Sequence, residues 1–266
     1  MRRARAASRY LYTGGKEPRY FSSPIFEKRR PAFAGMYAPA RDGQKLGDGS
    51  LVYSAAALAN IAIPRIRTNN PDVRFIFIAR HPRKRIESLY REMHHSGAHF
   101  GVAPPFRLSS FFQDHVDAIE NTLFFDRIST FIKQFGRDAI LPVFLEDFHA
   151  DSQNVTRICC EHIGVDPEKL PPVGDSVLHS GSAKLYDTWL LRRMRRHPLT
   201  GFRIASLTPE QQNHFFQKIG LRRAFGNKPV VWDEPAEVMY RDKVVPQARK
   251  FLELCGKSQS FWKLDV

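Results

Sequence analysis

Arg74-Phe75-Ile76-Phe77-Ile78-Ala79-Arg80-His81-Pro82-Arg83-Lys84-Arg85-Ile86-Glu87-Ser88-Leu89-Tyr90 holds two patterns in succession. Phe75 to Ala79 is a short apolar run, aromatic and β-branched, bounded by charge. It predicts a strand buried on both faces. Arg80-His81 leaves that strand, and Pro82 suits a first helical turn, where its missing N–H has no partner to lose. Ile86, Leu89, Tyr90 and Met93 then recur at helical spacing. Strand, basic turn and helix follow one another, and in an open α/β sheet such a turn is where ligands bind. A helix start flanked by Arg80, Arg83, Lys84 and Arg85 favours an anion such as phosphate. A plainer reading stands beside it, in which the basic residues only solvate the end of a strand.

Other elements fall on both sides of this stretch. Ala55 to Ile66 reads as a helix before the turn Asn69-Asn70-Pro71, and residues 23–45 read as irregular. The central helix is expected to end near Gly97, with His94, His95 and His99 in a mobile basic loop. Phe111 to Phe135 has helical periodicity, with Val116, Ile119, Leu123, Ile128, Phe131, Ile132 and Phe135 as expected core. Ile140 to Leu145 is a second strand, with Pro142 placing it at a strand start or sheet edge. Glu146 and Asp147 read as structural acids at the strand end. A helix over Asn154–His162 and a last amphipathic helix over 236–256 follow. Arg192, Arg193, Arg195 and Arg196 stud a helix whose basic face is expected to be solvated or to meet an acidic glycan. Trp232 and Trp262 are expected core anchors.

With 266 residues, 42% hydrophobic and 26% charged, the chain is globular. No apolar run has the length of a transmembrane helix, and the start, Met1 to Arg9, lacks the apolar core of a signal peptide. That Arg-rich, acid-free start also has the composition of an organellar presequence, although Lys16 onward already reads as domain. As written, the chain is expected to be cytoplasmic. A formal charge of +14 implies an anionic partner: a nucleotide, an acidic glycan, nucleic acid or an anionic surface. Three cysteines, two of them adjacent, make no disulfide framework, and no Cys/His cluster has zinc spacing, so no metal is expected. Without a nucleic-acid motif or interleaved stacking aromatics, no specific nucleic-acid partner is expected, and a basic nucleic-acid-binding protein ranks last among the readings.

Arg80-x-Pro82 with Ser88 resembles the 3′-phosphate-binding segment of sulfotransferases that use 3′-phosphoadenosine 5′-phosphosulfate (PAPS). In that family an Arg at the strand end and a Ser on the next helix hold the 3′-phosphate. Lys16-Glu17-Pro18-Arg19-Tyr20-Phe21 is similar to the Lys-Glu-x-x-aromatic-Phe segment of glycan-modifying and bacterial members, where the Glu acts as base in the heparan-sulfate branch. The resemblance makes Glu17 the general base, with Lys16 beside it. An exposed turn is the other reading of Lys-Glu-Pro. Gly47-Asp48-Gly49-Ser50-Leu51-Val52-Tyr53 partly matches a Gly-Glu-x-Ser/Thr-Pro-x-Tyr segment. Gly49 stands where heparan-type enzymes place a Lys, which speaks against a heparan-type acceptor. Ser180-Gly181-Ser182-Ala183-Lys184 matches a small polar loop whose Lys184 the family places near the nucleotide. The matches run in order from Lys16 to Trp262.

The resemblance implies a P-loop-like three-layer α/β/α sandwich with a central, mainly parallel sheet. It implies PAPS as co-substrate, no metal, and a hydroxyl- or amine-bearing acceptor, a carbohydrate or a small metabolite. One part of the pattern is degenerate. The 5′-phosphosulfate loop, normally Lys-x-Gly-Thr-Thr between a strand and a helix, has only Arg5-Ala6-Ala7-Ser8 as its counterpart. Arg5 would stand for the Lys and Ser8 for the Thr. Residues 1–15 are therefore expected to be a remnant or a truncated segment before a domain over 16–266. If truncated, the missing start is able to hold a Golgi-type membrane anchor. If decayed, the chain is a sulfotransferase-fold protein that binds adenosine bisphosphate or acidic glycan without turnover.

Overall fold

The computed structural model describes residues 10–12, 17–169 and 181–264, with side chains from 17 onward. It divides into two compact units: Met1–His81 with Leu123–Gly174 and Pro246–Val266, and Pro82–Thr122 with Asp175–Val245. Most of the expected segment 1–15 lies outside the described residues.

The first unit is built on two parallel strands, Phe75–Ala79 and Ile140–Phe144, in register from Phe75 opposite Ile140 to Ala79 opposite Phe144. Successive side chains of a strand point to opposite faces. Phe75 packs on Phe131 and Phe135, and Phe77 on Phe124 and Phe251. The other face carries Ile76 and Ile78, which are 38% and 65% exposed. Among the described residues the strand is thus covered on one face rather than the expected two. Pro142 lies in the middle of its strand, not at its start. Among the described residues that strand pairs on one side only, so a missing N–H leaves no second ladder incomplete.

Below the strands lies a ring cluster of Phe124, Phe144, Phe251 and Trp262. Phe251 stacks on Trp262 with ring centres 5.9 Å apart, and Trp262 is 2% exposed. Burial of this much aromatic surface dominates the energetics of a core. A second cluster joins Tyr20, Phe21, Phe26, Tyr53, Ala62 and Ile66. It explains an element the composition hid: Phe26–Tyr37 is a helix in spite of Pro31. Phe26, Phe33 and Tyr37 fall on one helical face, and Tyr20 stacks on Phe33 at 4.0 Å. The helix Ser152–Ile163 is capped by Asp151, whose side chain accepts from the Asn154 N–H, and ends at Gly164 with φ +73°. The helix expected over Ala55–Ile66 runs instead over Ala59–Asn69.

The second unit opens with the helix Pro82–Ser96. The expected long helix from Phe111 to Phe135 is broken. Leu108–Asp114 and Asp117–Glu120 belong to this unit, and Phe124–Phe135 to the first. Val116, expected in the core, sits at a break and is 56% exposed. The helices Trp189–Arg196, Pro198–Ala205 and Pro209–Lys218 close around Leu191, Ile204 and Phe216. Gly201 lets the second of them start tight against the first, since a Cβ there would meet the Arg195 carbonyl oxygen. Leu185–Asp187 and Arg222–Ala224 pair antiparallel. The three histidines lie in helical turns and not in the expected loop: His94 is 1% exposed, His95 Nδ1 accepts from the Leu185 N–H at 3.1 Å, and His99 meets Gln212 and Arg222. The last helical run is Glu234–Met239 and Val245–Leu254 around a π turn at Tyr240–Val244. Among the described residues no helix is long and apolar enough to cross a membrane.

Asp233 anchors the start of the helix Leu108–Asp114. It accepts from the Ser109 N–H and Oγ at 2.9 and 2.5 Å and from Arg107 Nε at 2.9 Å. Partial burial pushes its pKa up, but these donors outweigh that and hold it down, to about 2. A carboxyl depressed in the folded state contributes stability that is present above its unfolded value and lost as pH falls through the folded one. Stability is expected to drop between about pH 4 and pH 2. Asp233→Asn should flatten that limb of a pH series of urea melts; an unchanged limb would show that the carboxylate is not linked to folding.

Candidate functional site

The chain passes from Ala79 through Arg80 and His81 into the helix at Pro82. Arg80 is half-buried at the strand end in the first unit. The next residue is pinned: the His81 N–H donates to Glu146 Oε1 at 2.8 Å, from the start of the short helix Leu145–Ala150 that follows the neighbouring strand. Asp147 beside it takes Lys257 Nζ at 2.7 Å. Both acids therefore have the structural roles read from the sequence. Glu146 fixes the backbone next to Arg80, and Asp147 holds Lys257.

In the second unit, the basic residues of the first helical turn separate into two kinds. Arg83 makes a two-pronged pair with Glu237 at 2.8 and 2.6 Å and lies over the rings of Trp232 and Tyr240. Its charge is committed, so it does not add to an anion cradle as the sequence suggested. The half-buried Trp232 also donates to Glu87 at 3.0 Å. Lys84 and Ser88 remain exposed and stand four residues apart, on one helical face. Lys84 is the residue that sequence reasoning gave no separate role, although its spacing to Ser88 was visible. One turn further on that face, Glu92 pairs with Lys184 Nζ. Burial pushes the Glu92 carboxyl up, but hydrogen bonds from Lys184 and Ser96 outweigh it and hold the carboxyl below its ordinary range. The structure thus brings Lys184 to the helix that carries Ser88.

Glu17 lies in the first unit at the start of a tightly held segment. Arg19 donates to Glu17 Oε2 at 3.3 and 3.1 Å, and the Glu17 side chain is 20% exposed. Arg19 has φ +52°, a left-handed backbone that must be held by its surroundings. The holders come from the second matched segment. The Arg19 N–H donates to Ser50 Oγ at 2.8 Å, and the Phe21 N–H to Tyr53 Oη at 3.4 Å. Tyr53 in turn donates to Asp48 Oδ2 at 2.7 Å, and the Ser50 N–H to Asp48 Oδ1 at 2.9 Å. Burial, with a further push from Asp48, raises the Tyr53 hydroxyl far above its ordinary value, so it stays a donor. Arg65 and Arg29 take the carbonyls of Phe21, Ser23 and Pro18. Two segments thirty residues apart in sequence, both singled out by motif, are therefore one built unit.

Lys16, Arg5 and Ser8 lie outside the described residues. Tyr10–Tyr12, directly after Arg5–Ser8, form a strand parallel to Lys45–Gly47 and not the first turn of a helix.

No family model and no curated protein matches the chain. Solved structures do. A sulfotransferase from Alicyclobacillus acidocaldarius is similar with a TM-score of 0.51 at 17% identity, over 78% of this chain and 85% of that one. The chain thus has a sulfotransferase-like, P-loop-like α/β fold with a parallel strand pair, as the sequence implies.

Proposed function

We propose that this protein transfers a sulfuryl group from PAPS to a hydroxyl or amine of a carbohydrate or small-molecule acceptor. The observation that carries the reading is the continuous path from strand through Arg80-His81-Pro82 into a helix with Ser88 exposed, in a chain of sulfotransferase-like fold. The resemblance assigns Arg80 and Ser88 to the 3′-phosphate, a guanidinium and a hydroxyl suited to that anion, and Lys84 lies on the same helical face as Ser88. The acceptor oxygen or nitrogen attacks sulfur, the bond from sulfur to the 5′-phosphate oxygen breaks, and 3′,5′-adenosine bisphosphate leaves. The proton released by the acceptor goes to the Glu17 carboxylate. That base needs a fixed position, which the Arg19, Ser50 and Tyr53 contacts supply.

The test is calorimetry with 3′,5′-adenosine bisphosphate, followed by transfer of label from PAPS to a panel of hydroxyl- and amine-bearing sugars. A charge-assisted contact contributes about 2–3 kcal/mol, so Arg80→Ala should weaken bisphosphate binding by roughly 30- to 150-fold. Arg80→Lys should recover part of it, because an ammonium lacks the planar fork. Ser88→Ala should cost about 1 kcal/mol. Unchanged affinity in a folded Arg80→Ala protein would remove the nucleotide assignment.

A second reading is favoured by the strand at Tyr10–Tyr12, where a phosphate loop would lead into a helix. It is a sulfotransferase-fold binding protein that holds adenosine bisphosphate or acidic glycan without transfer. Bisphosphate binding with no labelled product from any acceptor is its expected signature.

A further inference from the structure

Within the second unit, a cavity of about 150 Å³ is lined by Arg192, Arg195, Arg196, Asp187, His94 and the turn 101–104. Its charges do not cancel. Asp187, 3% exposed, is shared by Arg195 Nε at 2.6 Å and Arg222 Nε at 3.4 Å. Among the described residues Arg192 and Arg196 have no ion pair. Arg192 spends two nitrogens on neutral acceptors, the Pro104 carbonyl and His94 Nδ1, both at 2.8 Å, and lies over Phe106. His94 adds no charge and takes none away, because burial first and Arg192 second push its pKa down to about 3. Arg195 donates to Asp187 and to Gln212 Oε1 at 2.7 Å, which leaves its Nη2 buried with no hydrogen-bond partner. Arg192 Nε is in the same condition. Buried donors without acceptors are costly, and a guanidinium more so. The face expected to be solvated is therefore partly an inward one.

The turn 101–104 that forms one wall of the cavity is specifically shaped. The Val102 N–H bonds the Gly97 carbonyl at 2.9 Å, Gly101 has φ +75°, and a Cβ on Gly97 would press on Val102 at 3.3 Å. The volume is that of about five waters. This suits one small charged group.

We propose that this cavity is a binding site for a single oxyanion group, a carboxylate or a sulfate, with Arg195 Nη2 and Arg196 as its donors. Such a group accepts the orphaned donor and offsets the surplus of positive charge. It is either a free inorganic ion or the acidic group of a larger acceptor. The assignment holds or fails without the sulfuryl-transfer reading.

The test is calorimetric titration of the full chain with sodium sulfate and with sodium glucuronate, each against sodium chloride at matched ionic strength. Binding of either beyond the chloride control is expected, and glucuronate without sulfate identifies the acceptor group as the source. Arg196 is exposed and unpaired, so Arg196→Glu leaves the fold intact and should weaken binding by about tenfold or more. Ala103→Trp should block the cavity without changing a charge. If Ala103→Trp does not fold in a thermal melt, Arg196→Glu decides alone. No binding beyond chloride, or wild-type affinity in Arg196→Glu, overturns the proposal.

Discussion

Asp187→Ala is expected to destabilise the second unit by about 3–5 kcal/mol, the cost of leaving a buried charge without its partner. Asp187 is the carboxylate for two guanidiniums, and Arg222 is 1% exposed. Burial already lowers the Arg222 pKa to about 10, with Asp187 working against that fall. Removing Asp187 strands the Arg222 charge beside Arg195. The remaining contacts of Arg222, to the His95 carbonyl and His99 Nε2, are to neutral groups. Urea unfolding of the single variant gives the cost. The double variant Asp187→Ala with Arg222→Met should recover at least about 1 kcal/mol, since an apolar replacement of a buried pair is often neutral. A single-variant loss under about 1 kcal/mol would mean that water already reaches the pair.

The second large effect is on chemistry. If Glu17 takes the acceptor proton, Glu17→Gln should lower kcat by about 10²- to 10⁴-fold, the usual contribution of a positioned base. Affinity for 3′,5′-adenosine bisphosphate should not change, because the amide keeps the shape and can still accept from Arg19. Tyr53→Phe makes a useful partner measurement. It removes the acceptor for the Phe21 N–H and the donor to Asp48, so it should loosen the segment without touching the carboxylate. Single-turnover rates separate the two. Full activity in Glu17→Gln with an unshifted pH profile would take the base assignment away.

What the sequence made legible was local. The strand Phe75–Ala79 and the Pro82 helix start come from neighbours in the chain, and both elements form where they were read, although among the described residues the strand is covered on one face and not two. What it hid was tertiary. The helix Phe26–Tyr37 forms in a Pro- and Gly-bearing stretch because Tyr20 and its cluster bury the Phe26 and Phe33 rings. Arg192 and Arg195 turn inward because Asp187, His94 and Pro104 meet them from elsewhere in the second unit. At the candidate site, Glu17 was visible as a motif residue, but the Ser50 and Tyr53 contacts that fix it were not. Likewise no local pattern said that Arg83 would be neutralised by Glu237, 154 residues away.

The ring cluster of the first unit also constrains the order of events during synthesis. Phe77, Phe124, Phe144 and Phe251 all close on one another or on Trp262. Domains often fold from the N-terminus as the chain emerges at about 5–20 residues per second. Here the parallel strands lack their floor until Phe251 and Trp262 have left the ribosome. Phe75 meets Phe131 and Phe135, and Phe77 meets Phe124, well before Phe251 emerges, so the strand waits about ten seconds or more with its ring cluster incomplete.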